Sequence, residues 1–219
     1  NEDPENADDF FTFSLPETFL VRLRPHVREF LDSISSNYFM HVYTLSRRGY
    51  ALKILEKIDP DHKYFNQRLR AREDADLEKK SISDFFLAGQ HMALVIDDTQ
   101  EVWRNDDNTI YQGLIQLEPY DYFIDMKKYP KSPHLIDRAA ITDDTLLLMS
   151  RILNDIHDRY FTEKSESVFK IIQDMKRKVF GDCYIYFCDI WTERDYLLRD
   201  FYIQKAEEFN GTVLKSFVP

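Results

Sequence analysis

Thr44, Lys80, Asp97 and Asp98 supply a hydroxyl, a cation and two carboxylates, the set of groups that phosphoryl transfer requires. A hydroxyl donates to a phosphate oxygen. A lysine and a metal held by carboxylates then neutralise the charge that develops in the transition state, and little else is needed. Each group alone is ordinary. A Thr ending a strand is commonly a cap, a Lys before a helix is commonly a solvated charge, and an Asp-Asp pair is commonly a turn. Their order in the chain and the elements that carry them give the set its weight.

Met92-Ala93-Leu94-Val95-Ile96 is a short apolar run rich in branched residues and ended abruptly by Asp97-Asp98. It reads as a buried strand of a parallel sheet. In open α/β sheets ligands bind beyond the carboxyl ends of the strands, where these carboxylates stand. Neighbouring side chains on a strand point to opposite faces, so one aspartate can face a ligand while the other braces the site. Two aspartates there suit Mg²⁺, a hard cation that takes oxygen ligands and keeps several waters. Phe39 to Tyr43 reads as a second strand, with Thr44 at its carboxyl end.

The rest of the first half supplies matching elements. Phe10 to Leu15 is extended in character, and Pro16-Glu17 turns it. Phe19 to Arg24 reads as a strand with Arg22 and Arg24 on one face. Pro25 suits the first turn of a helix whose apolar stripe is Val27, Phe30, Leu31 and Ile34. A second helix starts near Arg47, carries Tyr50, Ile54, Leu55 and Ile58 on one face, and stops at Asp59-Pro60. Arg68, Arg70 and Arg72 alternate ahead of Lys79 and Lys80, and Leu114 to Leu117 forms a further short strand. Strand, helix, strand, helix, strand is the pattern of a doubly wound α/β domain.

Residues 1 to 9 read as a leader or loop, and the composition shifts to Lys, Pro and Ser around 127 to 136, as in a linker. Thr142 is a good N-cap, with Asp143 and Asp144 in the first turn, for a helix to about Phe161. A helix over Ser165 to Lys178 follows, then a strand from Cys183 to Phe187. A helix from Thr192 to Asn210 closed by Gly211, and a strand from Thr212 to Phe217, end the chain.

Of the 219 residues 43% are hydrophobic, with 17 Phe and 13 Tyr, enough for one sizeable domain and an appendage. No apolar run approaches the roughly 20 residues of a membrane-spanning helix, so no membrane partner is expected. A net charge of −10 speaks against nucleic acid as a direct partner. Two cysteines, Cys183 and Cys188, lie in one apolar segment without a partner cluster, which fits a reducing compartment and no zinc site.

The sequence also resembles the RNA polymerase II carboxy-terminal-domain phosphatases of the haloacid dehalogenase superfamily, in the large branch that carries a BRCT domain. The matching runs are Arg22-Leu23-Arg24-Pro25, Met40-His41-Val42-Tyr43-Thr44, Tyr50-Ala51 and Ile58-Asp59-Pro60. They continue through Lys80-Ser81, Ile96-Asp97-Asp98, Glu101-Val102-Trp103 and Pro119-Tyr120-Asp121-Tyr122-Phe123. Order and spacing hold over residues 19 to 123, which is far more specific than a single motif. Asp155-Ile156-His157 resembles the helical link to the BRCT domain.

The resemblance implies a phosphatase domain over residues 10–126, a linker and helical region over 127–178, and a partial BRCT domain over 179–219. It makes Thr44 the phosphate-binding hydroxyl and Lys80 the phosphate-stabilising lysine. It makes Asp97 and Asp98 the acidic pair for Mg²⁺, Asp98 as direct ligand and Asp97 in support. Arg24, Tyr38, Tyr50 and Asp59 match positions the family uses around the site, for substrate contact or for bracing. The implied substrate is the phosphorylated C-terminal domain of RNA polymerase II, with general transcription factors as partners and the nucleus as location.

One departure accompanies the match. The family attacks phosphate with the first aspartate of an Asp-x-Asp-x-Thr motif on the first strand, and the second acts as general acid and base. Here Asp59-Pro60-Asp61 is followed by Lys63, and Asp74-Ala75-Asp76 by Glu78, where Thr is needed. The expectation is a phosphatase domain whose first, central strand lies upstream of Asn1, with no turnover by these 219 residues alone. The rival expectation is a catalytically dead phosphatase-like module that grips a partner peptide. In the BRCT-like part, Cys188-Asp189 stand where phosphopeptide-binding BRCT modules place Ser or Thr followed by Gly, so a packing scaffold is expected there.

Overall fold

Alternation sets the first element. Phe11, Phe13 and Leu15 turn inward while Phe10, Thr12 and Ser14 stay exposed along β1 (Phe10–Leu15). β1 pairs antiparallel with β2 (Glu17–Arg22), with Leu15 opposite Glu17 and Pro16 alone at the tip. The two segments expected as separate are thus one hairpin, and proline fits its tip because it has no N–H to contribute to a ladder. The inward rings Phe13 and Phe19 stack 5.4 Å apart and both meet Tyr50, at 5.5 and 5.2 Å.

This is a computed structural model, which describes residues 9–74, 80–105, 107–120, 122, 143–187 and 196–216. The expected linker, Thr142, and the Cys188-Asp189 pair lie outside the described residues.

Helix α1 (Val27–Ile34) buries Phe30, Leu31 and Ile34, three of the four residues of its apolar stripe. They form one cluster with Phe65 and with Leu146, Met149 and Leu153 of α3 (Thr145–Thr162). Each such side chain contributes roughly 1.5–3 kcal/mol when fully withdrawn from water. Helix α2 (Arg48–Ile58) begins and ends within a residue of where the pattern places it, and Asp59 closes it with a backbone bond to Leu55 O at 2.8 Å.

Two short parallel strand pairs lie against that cluster. β3 (Val42–Tyr43) pairs with β4 (Leu69–Arg70), and β5 (Val95–Asp97) pairs with β6 (Leu114–Gln116). Met40, Val42, Leu94, Ile96, Ile115 and Leu117 from these two pairs pack on the same apolar group. β4 falls in the alternating-arginine stretch, which shows no strand pattern because only two of its residues pair. The expected run from Met92 is strand only from Val95, since Gln90–Met92 forms a turn of 3₁₀ helix.

The described strands form four two-stranded sheets, and no pairing joins β3 to β5 among them. In a parallel ladder alternate residues bond to one side. Val42 and Thr44 donate to Arg68 O and Arg70 O at 2.9 and 3.0 Å, so the backbone of Tyr43 faces the edge away from β4. Val95 donates to Gly113 O, and Asp97 O accepts from Leu117, so Ile96 likewise faces away from β6.

The chain divides into two compact units, 1–158 and 159–219. The second unit carries α4 (Val168–Val179), capped by Ser167, and the parallel pair β7 (Tyr184–Ile185) and β8 (Thr212–Val213). α5 (Tyr196–Glu208) connects β7 to β8. Its end differs from expectation in detail. Asn210, with φ 67°, takes the left-handed conformation. Gly211 sits in a close approach: a Cβ there would lie 2.7 Å from the movable Ile185 Cδ1 and 3.1 Å from the backbone oxygen of Ala206. Among the described residues no helix is long and apolar enough to cross a membrane.

Candidate active site

The carboxyl end of β5 carries a tightly tied polar cluster. Lys80 is only 8% exposed. Its Nζ donates to Asp97 Oδ2 at 2.6 Å, and the indole Nε1 of Trp103 donates to the same oxygen at 2.8 Å. The other oxygen, Oδ1, accepts from Thr99 N–H at 2.9 Å. Burial by itself would raise the Asp97 carboxyl. The hydrogen bonds from Lys80, Trp103 and Thr99 outweigh it and hold the group below the usual carboxylate range. A buried lysine thus sits beside a carboxylate that is kept ionised.

Asp98 has a different environment. It is exposed, and its carboxylate accepts a bond from Thr99 Oγ1 at 3.0 Å. The two aspartates divide their work as alternation requires: one is consumed by its neighbours, the other opens to solvent.

Thr44 follows β3 directly. Its Oγ1 accepts from Ser46 N–H at 3.1 Å, which leaves its own proton to donate. The Tyr43 ring beside it lies 5.7 Å from Lys80 Nζ and 5.6 Å from the Trp103 ring. Tyr43 also donates to Asp84 Oδ2 at 2.7 Å, and burial, then that carboxylate, push its hydroxyl pKa up. The tyrosine thus bridges the β3 end carrying Thr44 and the β5 end carrying Lys80 and Asp97.

The other residues singled out from sequence make their contacts elsewhere. Arg24 lies just past β2; its Nε donates to Asp143 Oδ2 at 2.8 Å and its Nη1 to Glu118 O at 2.9 Å. Tyr38 donates to Leu153 O at 2.6 Å, and burial raises its hydroxyl pKa. Tyr50 packs under the hairpin. Asp59 is 2% exposed and accepts from the backbone N–H groups of Tyr64 and Phe65. None of these four contacts the Lys80–Asp97 pair. Trp103 has no role assigned from sequence, although it ends the Glu101-Val102-Trp103 run. Its place six residues past Asp97, at the far end of a tight turn, was the available signal.

For Mg²⁺, no group of three or more His, Cys, Asp or Glu side chains stands together among the described residues. Asp98 alone fits as a donor: an exposed carboxylate at a strand end, suited to an ion that keeps most of its waters.

Residues 1–129 match the family model described as NLI interacting factor-like phosphatase. The chain belongs to that family. Among curated relatives of this chain, an RNA polymerase II C-terminal domain phosphatase of Caenorhabditis elegans is 30% identical, with 97% of this chain aligned to 34% of that protein. The Saccharomyces cerevisiae phosphatase of the same name is 36% identical over 48% of this chain and 14% of its own length. The chain thus spans about a third or less of these two relatives. A solved structure of Fcp1, an essential RNA polymerase II CTD phosphatase, aligns at a TM-score of 0.68 and 27% identity, covering 98% of this chain and 74% of that one. A second, of fission yeast Fcp1 bound to beryllium fluoride, gives 0.68 and 26%, covering 98% and 75%. The chain is therefore an α/β phosphatase-family protein of the Fcp1 type.

Proposed function

We propose that this chain forms the phosphate-handling part of a Mg²⁺-dependent protein serine phosphatase that acts on the phosphorylated heptad repeats of RNA polymerase II. The observation that carries the reading is the buried Lys80–Asp97 pair at the end of β5, beside exposed Asp98, with Thr44 at the end of β3. The names of the curated relatives support the substrate, and the substrate in turn implies work in the nucleus beside general transcription factors.

Each residue then has a task. Thr44 donates its hydroxyl proton to a phosphate oxygen, and Lys80 holds positive charge against the oxygens as they gain charge. Asp97 keeps that ammonium in place, and Asp98 would hold Mg²⁺, which when bound neutralises phosphate charge. The covalent step needs an aspartate carboxylate to attack phosphorus as the serine Oγ–P bond breaks, a proton going to the departing oxygen. Water then displaces the aspartate and releases phosphate.

The Asp-x-Asp-x-Thr motif is not among the 219 residues. It would lie on a strand that pairs with the edges at Tyr43 and Ile96 that face away from β4 and β6, joining β4–β3 and β5–β6 into one doubly wound sheet. The same placement sets the nucleophile between Thr44 and Lys80. In the second unit, β7, α5 and β8 make the parallel crossover expected of a partial BRCT domain, read here as a scaffold.

The missing motif also favours a second reading, in which the domain grips a phosphopeptide without cleaving it. An assay of the intact protein that carries the Asp-x-Asp-x-Thr segment, on a phosphorylated heptad-repeat peptide with and without Mg²⁺, separates the two. Mg²⁺-dependent phosphate release supports the enzyme. Binding of the peptide with no release at any Mg²⁺ concentration makes the protein a binding module.

A further inference from the structure

Lys80 is fixed at both ends by one short segment. Its backbone N–H donates to Val102 O at 2.7 Å, and its ammonium meets Asp97, whose Oδ2 also accepts from Trp103. Trp103 is 4% exposed, and its ring lies 5.3 Å from Lys80 Nζ. The segment is itself anchored, with Trp103 N–H on Gln100 O at 3.1 Å and Trp103 O accepting from Tyr111 at 2.9 Å. An indole offers one donor in one direction, so where the ring is held, the oxygen it binds is held.

We infer that Trp103 is a positioning residue: its indole N–H locks the rotation of the Asp97 carboxylate and through it the place of the Lys80 ammonium. The inference rests on the phosphatase reading for its consequence, though not for its geometry. A lysine is a compact charge on a flexible stem with freely turning donors, and a single carboxylate contact leaves it room to swing. Three donors on Asp97, from Lys80, Trp103 and Thr99, remove that freedom. The aromatic wall of Trp103 and Tyr43 confines the ammonium from the side.

The test replaces Trp103 by benzothienylalanine, which keeps the ring's shape with sulfur in place of N–H, alongside Trp103→Phe. The first readout needs no turnover: the Lys80 ammonium resonance in ¹⁵N-labelled protein. It should be sharp in the unmodified protein and broadened or lost in the isostere, while the thermal midpoint stays within about 2 °C. An unchanged Lys80 signal in the isostere overturns the inference. The Trp103 indole N–H signal should also shift and exchange faster in Asp97→Asn; an unmoved signal means the bond is not made and overturns the inference equally. In the intact protein that carries the nucleophile segment, kcat on the phosphorylated repeat peptide should fall about tenfold with KM within about twofold, the pattern of misplacement rather than lost binding. Full kcat in the isostere overturns the catalytic consequence. No turnover by that intact protein before substitution, with both resonances responding, sinks the phosphatase reading and leaves the positioning intact.

Discussion

The two parallel strand pairs deliver their polar ends under opposite regimes. At the end of β5 every oxygen of Asp97 has a hydrogen-bond donor, the partner lysine is buried, and an indole closes the side. At the end of β3 the Thr44 hydroxyl has one backbone donor and is half-buried. The backbone unit is the same and the core beneath is shared. The difference lies in charge. A buried ammonium is tolerated only when its partner is fixed, whereas a neutral hydroxyl can be left free to turn toward a ligand. In the proposed phosphatase the locked side would set where phosphate charge is stabilised, and the open side would adapt to the oxygen that arrives.

The sharpest way to break this contrast is to remove one member of the locked side. Lys80→Met strands the Asp97 carboxylate, with an expected loss of about 3–5 kcal/mol in urea unfolding as well as loss of activity. Adding Asp97→Leu should recover most of the stability and none of the activity. If Lys80→Met alone unfolds at the unmodified midpoint, the pair is not the structural lock described here.

Asp98→Asn should do the reverse. Its carboxylate is exposed, so stability should hold within about 0.5 kcal/mol. Mg²⁺ affinity, followed by calorimetry, and turnover should fall together, turnover by about 100-fold. Normal turnover at ordinary Mg²⁺ would remove Asp98 from the metal site.

A half-buried ion pair elsewhere, Arg24–Asp143, sharpens the comparison. Burial alone would raise the Asp143 carboxyl, but bonds from Thr145 and the Arg24 guanidinium outweigh it and hold it low. A carboxyl lowered on folding contributes stability that is full above the ordinary carboxylate range and is lost as pH falls below it. Asp143→Asn should therefore cost about 1–2 kcal/mol at neutral pH. It should also flatten the acid-side decline in a set of melts between about pH 6 and pH 2.5. An unaltered slope would mean that the pair is screened.

Thr44→Val probes the open side and should have the smallest effect. It leaves the Ser46 N–H without its acceptor, at about 1 kcal/mol, and should lower turnover about tenfold, while Thr44→Ser should keep both. Equal activity for Val and Ser would show that the hydroxyl donates nothing to phosphate.

Much of this frame was legible in the chain. The stripe of Phe30, Leu31 and Ile34 and the stop at Asp59-Pro60 marked α1 and α2, because helical periodicity and capping are local properties. The apolar run ended by Asp97-Asp98 marked β5, because a short apolar run ended by charge is likewise a local property. Two extended segments and the turn at Pro16-Glu17 were legible, but their pairing was not, because pairing is a relation between Phe10 to Leu15 and Phe19 to Arg24 that neither shows alone. β4 was missed because two residues among alternating arginines carry no pattern.

What the sequence determined by itself is which groups are available and in what order: a hydroxyl after one apolar strand, a lysine, and two carboxylates after another. Tertiary structure decided what each group is free to do. It consumed Arg24 in an ion pair with Asp143, Tyr38 in a bond to Leu153, and Asp59 in capping a loop. It gave Lys80 and Trp103 a common acceptor across a chain separation that no local rule spans. The physical reason is that availability follows from residue type, whereas commitment follows from burial, where every polar group must find a partner.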